Sequence, residues 1–175
     1  MIRFQTATPQ DAENLSKLVN SAYRGDYSKQ GWTTEADLLD GQRTDAKALE
    51  EIIETPLNQI ELLFEGKSLQ IIGCIHLVQE LPETLYFGML TVEPTIQSQG
   101  LGKILLTHAE DVARGYGFKK IRCSVIPHRK ELIAFYKRRG YKETGKFDSF
   151  PQEKKFGIPK VGDLALQEFE KTLEE

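Results

Sequence analysis

The chain has 175 residues, of which 39% are hydrophobic and 28% are charged, and its formal net charge is −3. This balance is typical of one soluble globular domain and excludes a disordered tail. No apolar run reaches the roughly 18 to 20 residues that a membrane-spanning helix needs, and Cys74 and Cys123 lack the spacing of a zinc site. We therefore expect one cytoplasmic domain over residues 1–175, with no metal, no membrane association and both thiols reduced and buried.

Charge is distributed unevenly along the chain. Residues 1–102 carry 7 Lys and Arg against 15 Asp and Glu, whereas residues 103–146 carry 12 against 4, so the net charges are −8 and +8. A basic segment beside an acidic one suits a protein that holds a polyanion with one part and receives a cation with another, although a pair of solvated helices would give the same counts. Nucleic acid is not an expected partner, because the whole chain is acidic and no aromatic residues alternate with the basic ones.

The first half of the chain predicts a strand, two helices and three further strands. Residues 2–6 are expected to form the first strand, and apolar residues then recur at helical spacing from Thr8-Pro9, a cap followed by a first-turn proline, to about Tyr23. Asp45 is the expected cap of a second helix. Short turn sequences separate three strand-like runs, which predicts antiparallel neighbours. These runs are residues 59–65, 69–79 and 84–93.

In the second half, the hydrophobic period changes after Gly100 from that of a strand to that of a helix, which is expected to end near Gly115 to Gly117. The remaining predicted elements are a strand at 119–126, a helix at 129–139, a strand at 141–147 and a last strand at 163–169. Three hairpin strands followed by alternating helices and strands predict an α/β domain with a mixed, mostly antiparallel sheet flanked by helices.

The stretch from Gly88 to Lys103 carries the most chemical information, because it runs from a strand through the turn Gly100-Leu101-Gly102 into a helix. Glycines at a helix start let the backbone approach an anion, which the first N–H groups and the helix dipole then bind. The third glycine of a dinucleotide fingerprint and the Lys-Ser/Thr pair of a Walker loop are absent, so neither motif fits. By itself, this spacing also suits a tight turn with close helix packing.

Two motifs resemble the GNAT superfamily of N-acetyltransferases. Residues 97–102, QSQGLG, are similar to the Q/R-x-x-G-x-G/A signature of that family, and the preceding Leu90-x-Val92 and Pro94 look like its strand before the signature. Residues 133–141, IAFYKRRGY, resemble its later FY-x-x-x-G-F/Y element. Because the predicted element order also agrees over nearly the whole chain, the sequence is identified as a member with a GNAT-like fold.

The resemblance implies acetyl-coenzyme A as cosubstrate and assigns residues to it. The main chain of Leu90 and Val92 would pair with the pantetheine arm as an added strand. The backbone amides of residues 98–103 would hold the pyrophosphate, and the side chain of Gln97 would bracket this turn. The basic segment would meet the phosphorylated adenosine through Lys103, Arg129 or Lys130. Arg129 stands where the family commonly has Asn. The assigned set is Leu90, Val92, Gln97, Ser98, Gln99, Gly100, Leu101, Gly102, Lys103 and Arg129.

The same resemblance makes Tyr136 the general acid, because a phenol beside the sulfur would protonate the departing thiolate. The alternative is a ring that only packs on the apolar face of its helix. Glu93 is the nominal base. The alternatives are a water chain and His76, which the strand period otherwise makes a partly buried histidine. The resemblance also implies that the first two helices and the loop between them wall the acceptor site, which here means residues 23–44, with Tyr27, Trp32, Asp37, Asp40 and Arg43. The expected acceptor is a primary amine of a small molecule or peptide, and the net charge of −8 favours a cationic one.

Two functions stay open at this point. The first is an N-acetyltransferase in which the amine attacks directly within a ternary complex, since neither cysteine lies in the motif turn to form an acyl-enzyme. The alternative is a non-catalytic module that binds an acyl-coenzyme A and reports it to a protein partner. The assembly state also stays open, with a homodimer included.

Overall fold

In a computed structural model that describes residues 1–149, 158–160 and 164–174, helices and strands follow one another largely as predicted. The strands are β1 (Ile2–Thr6), β2 (Leu39–Asp40), β3 (Asn58–Glu65), β4 (Gly73–Glu80), β5 (Thr84–Val92), β6 (Lys120–Val125), β7 (Lys142–Ser149), β8 (Ile158–Pro159) and β9 (Ala165–Thr172). The helices are α1 (Ala12–Tyr23), α2 (Gly25–Ser28), α3 (Ala46–Glu54), α4 (Leu101–Gly115) and α5 (Lys130–Arg138), with 3₁₀ turns at Pro9–Asp11 and Pro94–Ile96.

Seven of the strands form one sheet, in the order β1-β3-β4-β5-β6-β9-β7. The pair β5–β6 is parallel, and the other neighbouring pairs in this sheet are antiparallel. The structure therefore confirms the mixed, mostly antiparallel sheet. It also confirms that the three hairpin strands, β3, β4 and β5, are antiparallel neighbours.

Hydrophobic clusters cover both faces of the sheet, because side chains alternate between the faces along each strand. Leu63 and Phe87 pack with α4 and α5 on one face, and Leu62 and Met89 pack with α1 and α3 on the other. Helices thus flank the sheet, as predicted. None of the helices in the described ranges is long and apolar enough to cross a membrane.

Some element boundaries differ from the predictions. Asp45 caps α3 as expected, since its side chain accepts the Ala48 N–H at 2.8 Å. The last strand continues to Thr172 because it pairs along the whole of β6, while its predicted start at Asp163 lies outside the described residues. The helix α2 and the β2–β8 ladder were not predicted, because segments of four and two residues are too short to show a period.

The strands β5 and β6 separate part-way along the sheet. They pair only between Thr84 and Tyr86 of β5, whereas β5 stays paired with β4 as far as Val92 and β6 stays paired with β9. The β4–β5 register also shifts close to Met89, whose φ of +52° marks a bulge. The main chain of β5 beyond Tyr86 therefore borders a gap between two strands.

Candidate active site

The turn between β5 and α4 has the geometry of an anion-binding site. Gly100 is the N-cap of α4 with a φ of +86°, which favours glycine, and Ser98 has a φ of +68°. Among the described residues no side chain caps α4, so the first N–H groups of this 15-residue helix face outward. A Cβ on Gly102 would lie an ordinary 3.7 Å from Phe135. The backbone conformation therefore requires glycine at position 100 but not at position 102.

A cleft of about 310 Å³ lies between this turn, the end of β5 and helix α5. Eight of the ten residues predicted to bind the coenzyme line it, namely Leu90, Val92, Gln97, Ser98, Gly100, Gly102, Lys103 and Arg129. Of the other two, Leu101 packs against the hydrophobic core instead, and Gln99 is not part of the lining. Arg138 and Arg139 also line the cleft. Sequence reasoning placed both in the basic segment without singling them out.

Arg139 gives the cleft a donor suited to phosphate. Its guanidinium lies 3.9 Å from the centre of the Phe135 ring, and Nη1 donates to the Phe135 carbonyl at 3.1 Å. Its Nε is buried and finds no hydrogen-bond partner within the described residues. Such a donor destabilises the protein until an acceptor reaches it, and a phosphate oxygen would be one. Together with Lys103 and the start of α4, it makes the cleft suitable for the phosphates of a coenzyme.

A second cavity, of about 590 Å³, borders the same gap in the sheet and is called the acceptor cavity below. Its walls come from α3, from β4, β5 and β6, and from the loop before α3. Tyr23, Leu90, Arg129 and Leu132 line both cavities, so the two spaces meet at these residues. Tyr23 Oη donates to the Leu90 carbonyl at 2.6 Å, which fixes the main chain at the meeting point. Two molecules can therefore approach Leu90 from two directions.

Tyr136 borders the acceptor cavity from α5. Its side chain is 4% exposed, and its ring packs edge-on against Phe87 at 5.7 Å and Phe135 at 5.5 Å. Burial raises the pKa of this phenol well above its usual range, so the hydroxyl keeps its proton at neutral pH. A buried, protonated phenol in the wall of the acceptor cavity can serve as a proton donor.

Comparison with known proteins agrees with this geometry. The acetyltransferase (GNAT) family model matches residues 15–141 of the chain. The chain belongs to this family. The peptidyl-lysine N-acetyltransferase YjaB of Salmonella typhimurium is 33% identical over 61 residues, a match that covers 35% of this chain and 39% of that protein's length.

Solved structures share the GNAT fold at low identity. The ribosomal-protein-S18-alanine N-acetyltransferase of Escherichia coli is 14% identical with a TM-score of 0.71. That match covers 100% of this chain and 96% of the Escherichia coli chain. The IAA acetyltransferase of Bacillus cereus is 17% identical with a TM-score of 0.68, at 99% and 100% coverage. The structure of yncA from Salmonella typhimurium, which contains its cofactor acetyl-CoA, is 18% identical with a TM-score of 0.68, at 99% and 95% coverage. The chain thus belongs to a family of acetyltransferases and shares its fold with these structures.

In this GNAT protein Arg129 is part of a buried ion network. Its Nη1 pairs with Glu35 at 3.0 Å, and its Nη2 donates to Thr33 at 2.8 Å. Glu35 also pairs with Arg24 at 3.0 Å, and all three charged side chains are buried. Both terminal nitrogens of Arg129 are thus hydrogen-bonded, whereas its buried Nε has no partner among the described residues and Arg129 lines the coenzyme cleft. Its contact with a coenzyme phosphate stays a prediction.

Gln97 connects the turn to the loop that follows α2. Its Nε2 donates to the Val92 carbonyl at 3.0 Å, which spans the turn, and its Oε1 accepts the Thr33 N–H at 3.0 Å. A Cβ on Gly31 would lie only 2.4 Å from that oxygen, so the loop passes close to Gln97 because it has glycine there. The loop therefore packs directly on the side chain that spans the turn.

Three predicted site residues have other surroundings. Glu93 caps the short 3₁₀ turn by accepting the Thr95 N–H at 2.8 Å, and it also accepts the Tyr27 hydroxyl. Burial raises the pKa of Glu93, but the hydrogen bonds from Thr95 and Tyr27 outweigh it and hold that pKa below its usual value. Glu93 and Tyr27 border a third, separate hollow, and Trp32 lines the coenzyme cleft. The roles of Glu93 as base and of Tyr27 and Trp32 as acceptor contacts stay predictions.

Two further titratable groups along the acceptor cavity, His76 and Cys123, are neutral at pH 7. Burial and the nearby charge of Arg43 lower the pKa of His76 to about 4, and its Nε2 is hydrogen-bonded to Asn58 at 2.8 Å. Cys123 borders the cavity, but burial raises the pKa of its thiol, so the nucleophilic thiolate does not form. Cys74 is likewise buried and free, as predicted. Within the part of the chain that the structure describes, no cluster of His, Cys, Asp and Glu could hold a metal ion.

Proposed function

We propose that this GNAT protein transfers the acetyl group of acetyl-coenzyme A to a primary amine of a small molecule or peptide by direct attack. The observation that carries the proposal is the meeting of the two cavities at Leu90, next to Tyr136. When bound, the coenzyme supplies an acetyl group already activated as a thioester. An amine in the acceptor cavity would reach it without a covalent enzyme intermediate, because burial keeps the Cys123 thiol protonated.

The coenzyme cleft supplies a distinct set of groups for each part of the coenzyme. The turn amides of residues 98–103 and the side chains of Lys103, Arg138 and Arg139 would hold the phosphates. The main chain of Leu90 and Val92 would pair with the pantetheine arm. The bulge near Met89 supports that pairing, because an extra residue in β5 leaves main-chain groups outside the β4 ladder.

Tyr136 is the proposed proton donor. Tyr136 borders the acceptor cavity, its phenol is protonated at neutral pH, and a positioned acid of this kind contributes roughly 10²- to 10⁴-fold to turnover. The proton of the attacking amine would pass to water in the acceptor cavity. His76 is a poor base at neutral pH because its pKa is about 4, and the Glu93 carboxylate is hydrogen-bonded outside both cavities.

The experiment is to measure thiol release from acetyl-coenzyme A with a panel of amines that includes amino acids, polyamines and a lysine-containing peptide. The peptide belongs in the panel because the curated relative is named a peptidyl-lysine N-acetyltransferase. We expect acceptor-dependent thiol release together with an amine product heavier by one acetyl group. Coenzyme binding by calorimetry without turnover of any amine would contradict the proposal and favour a non-catalytic binding module.

A further inference from the structure

An arginine that no acidic group of the described residues neutralises borders the acceptor cavity. Arg43 lines this cavity and is half-buried, with its guanidinium 4.6 Å from the centre of the Tyr23 ring. Within the described ranges, no carboxylate lies at ion-pair distance from this guanidinium and no acceptor takes a hydrogen bond from it. A guanidinium has five N–H donors. None of them is taken up by a hydrogen bond to the described residues.

The main chain that carries Arg43 is held by a side chain of α1. Asn20 Oδ1 accepts the Arg43 N–H at 2.7 Å and the Thr44 N–H at 3.0 Å. Asn20 Nδ2 donates to the Thr44 carbonyl at 2.9 Å. Three hydrogen bonds from one side chain therefore fix the start of the arginine, which makes it a positioned group rather than a mobile surface residue.

One tyrosine connects Arg43 to the point where the cavities meet. The guanidinium of Arg43 lies over the ring of Tyr23, and the hydroxyl of the same Tyr23 donates to the Leu90 carbonyl at 2.6 Å. An anion bound by Arg43 is therefore within one small molecule's length of an amine at Leu90. The amine and the anion would belong to the same acceptor.

The charges around the cavity favour a single negative charge on that acceptor. Glu35 is already neutralised by Arg24 and Arg129, while Asp45 and Glu51 are exposed at the rim. The rim carboxylates would repel a doubly charged phosphate more strongly than a carboxylate. A carboxylate also matches the planar fork of a guanidinium with two parallel hydrogen bonds.

The rest of the cavity wall is largely apolar, which suits an uncharged side chain. The apolar lining includes Ile52, Phe87, Val125, Ile126, Leu132 and Leu166. We infer that the acceptor is an amino acid or a similarly small molecule that carries a primary amine, a carboxylate and an apolar side chain, with Arg43 binding the carboxylate. This inference rests on the proposed acetyl transfer and narrows its acceptor.

The test compares free amino acids with their amides. L-Leucine, L-methionine and L-phenylalanine each have an amide of nearly the same shape that lacks the negative charge. We expect kcat/KM for each acid to exceed that for its amide by about 10- to 100-fold, the range for hydrogen bonds to a charged group. The α-amine of an amino acid amide loses its proton more readily than that of the free acid, which by itself would make the amide the faster acceptor. A preference for the acid would therefore not come from amine basicity.

Substitutions at Arg43 should remove the preference. In Arg43→Gln the acid-to-amide ratio should fall to about one, and in Arg43→Lys it should be intermediate, because an ammonium lacks the planar fork. The matched control is Arg114→Gln on the far end of α4, which pairs with Asp111 and lines neither cavity, and it should keep the parent ratio. A parent ratio near one, or a ratio that Arg43→Gln leaves unchanged, would overturn the inference.

A binding measurement keeps the test independent of turnover. Calorimetry with N-acetyl-L-leucine and N-acetyl-L-leucinamide, in the presence of coenzyme A, should show tighter binding of the acid to the parent protein. Because this measurement uses only the parent protein, it tests carboxylate binding even if an Arg43 variant fails to fold. If amides or the lysine peptide react while amino acids do not, the carboxylate inference is wrong and acetyl transfer stands. If no amine of any kind releases thiol, the proposed function is wrong as well.

Discussion

Replacing Glu35 with Gln tests the buried ion network at the meeting point of the two cavities. Glu35 pairs with Arg24 and Arg129 at 3.0 Å each, and the three side chains are only 9%, 5% and 6% exposed. Gln keeps the shape of the side chain but removes its charge, which leaves two buried guanidinium groups without a counter-ion. Removing one partner of a buried ion pair costs about 3–5 kcal/mol, and exposure this low leaves little screening by solvent. We expect the free energy of unfolding to fall by that amount.

Urea denaturation of the parent and of Glu35→Gln measures the difference directly. For a domain of this length the melting temperature should fall by about 2–4 °C per kcal/mol. The matched control is Glu13→Gln, which removes a pair with Lys17 whose side chains are 78% and 72% exposed. Its effect should stay below about 1 kcal/mol. If Glu35→Gln destabilises the protein no more than the control does, the network does not stabilise this junction and the reasoning is refuted.

Three further predictions concern the turn and the acceptor cavity. Tyr136→Phe should lower turnover by about 10²- to 10⁴-fold, while coenzyme affinity and melting temperature stay close to the parent values. Tyr116→Phe, at an exposed tyrosine, serves as control. Unchanged turnover in Tyr136→Phe would show that Tyr136 is only a packing residue. By calorimetry, Gly100→Ala should lose more coenzyme A affinity than Gly102→Ala, because only Gly100 has a positive φ, and equal losses would contradict this. The pKa of His76 is about 4 in the folded protein, which is below its value in the unfolded chain. Between these two pKa values the unfolded chain binds a proton at His76 that the folded protein does not. The unfolding free energy should therefore fall as pH drops from about 6.5 to 4. The slope of unfolding free energy against pH should be smaller in His76→Gln than in the parent, and an identical slope would contradict this prediction.

Much of the fold and one half of the site could be predicted from local sequence. The change of period after Gly100 indicates where the sheet hairpins give way to helices, and hydrophobic periodicity depends only on which residues are buried. The coenzyme turn follows from the same stretch, because a glycine at a helix start has few uses other than left-handed backbone and close approach. The structure adds that Gly100 needs its positive φ, whereas Gly102 does not.

The acceptor side depends on contacts between distant parts of the chain, and a local pattern cannot show these. Arg43 lies in a polar stretch without a period, and its main-chain N–H is bound by Asn20, 23 residues earlier. Glu93 ends a strand next to the motif, but the direction of its side chain follows from the 3₁₀ turn that it caps. The expectation of a cationic acceptor used the net charge of 102 residues. The charge that an acceptor meets in the cavity depends only on the few residues that line the cavity.

Arg129 shows how a departure from the family motif can be explained by a residue far away in sequence. The buried carboxylate of Glu35, 94 residues earlier, needs a cation, and Arg129 supplies it together with Arg24. Through Nη2 the same arginine binds Thr33, whose main-chain N–H is held by Gln97 of the coenzyme turn. One loop is thereby hydrogen-bonded to both the acceptor wall and the coenzyme turn. This loop therefore connects the walls of the two cavities through side-chain hydrogen bonds.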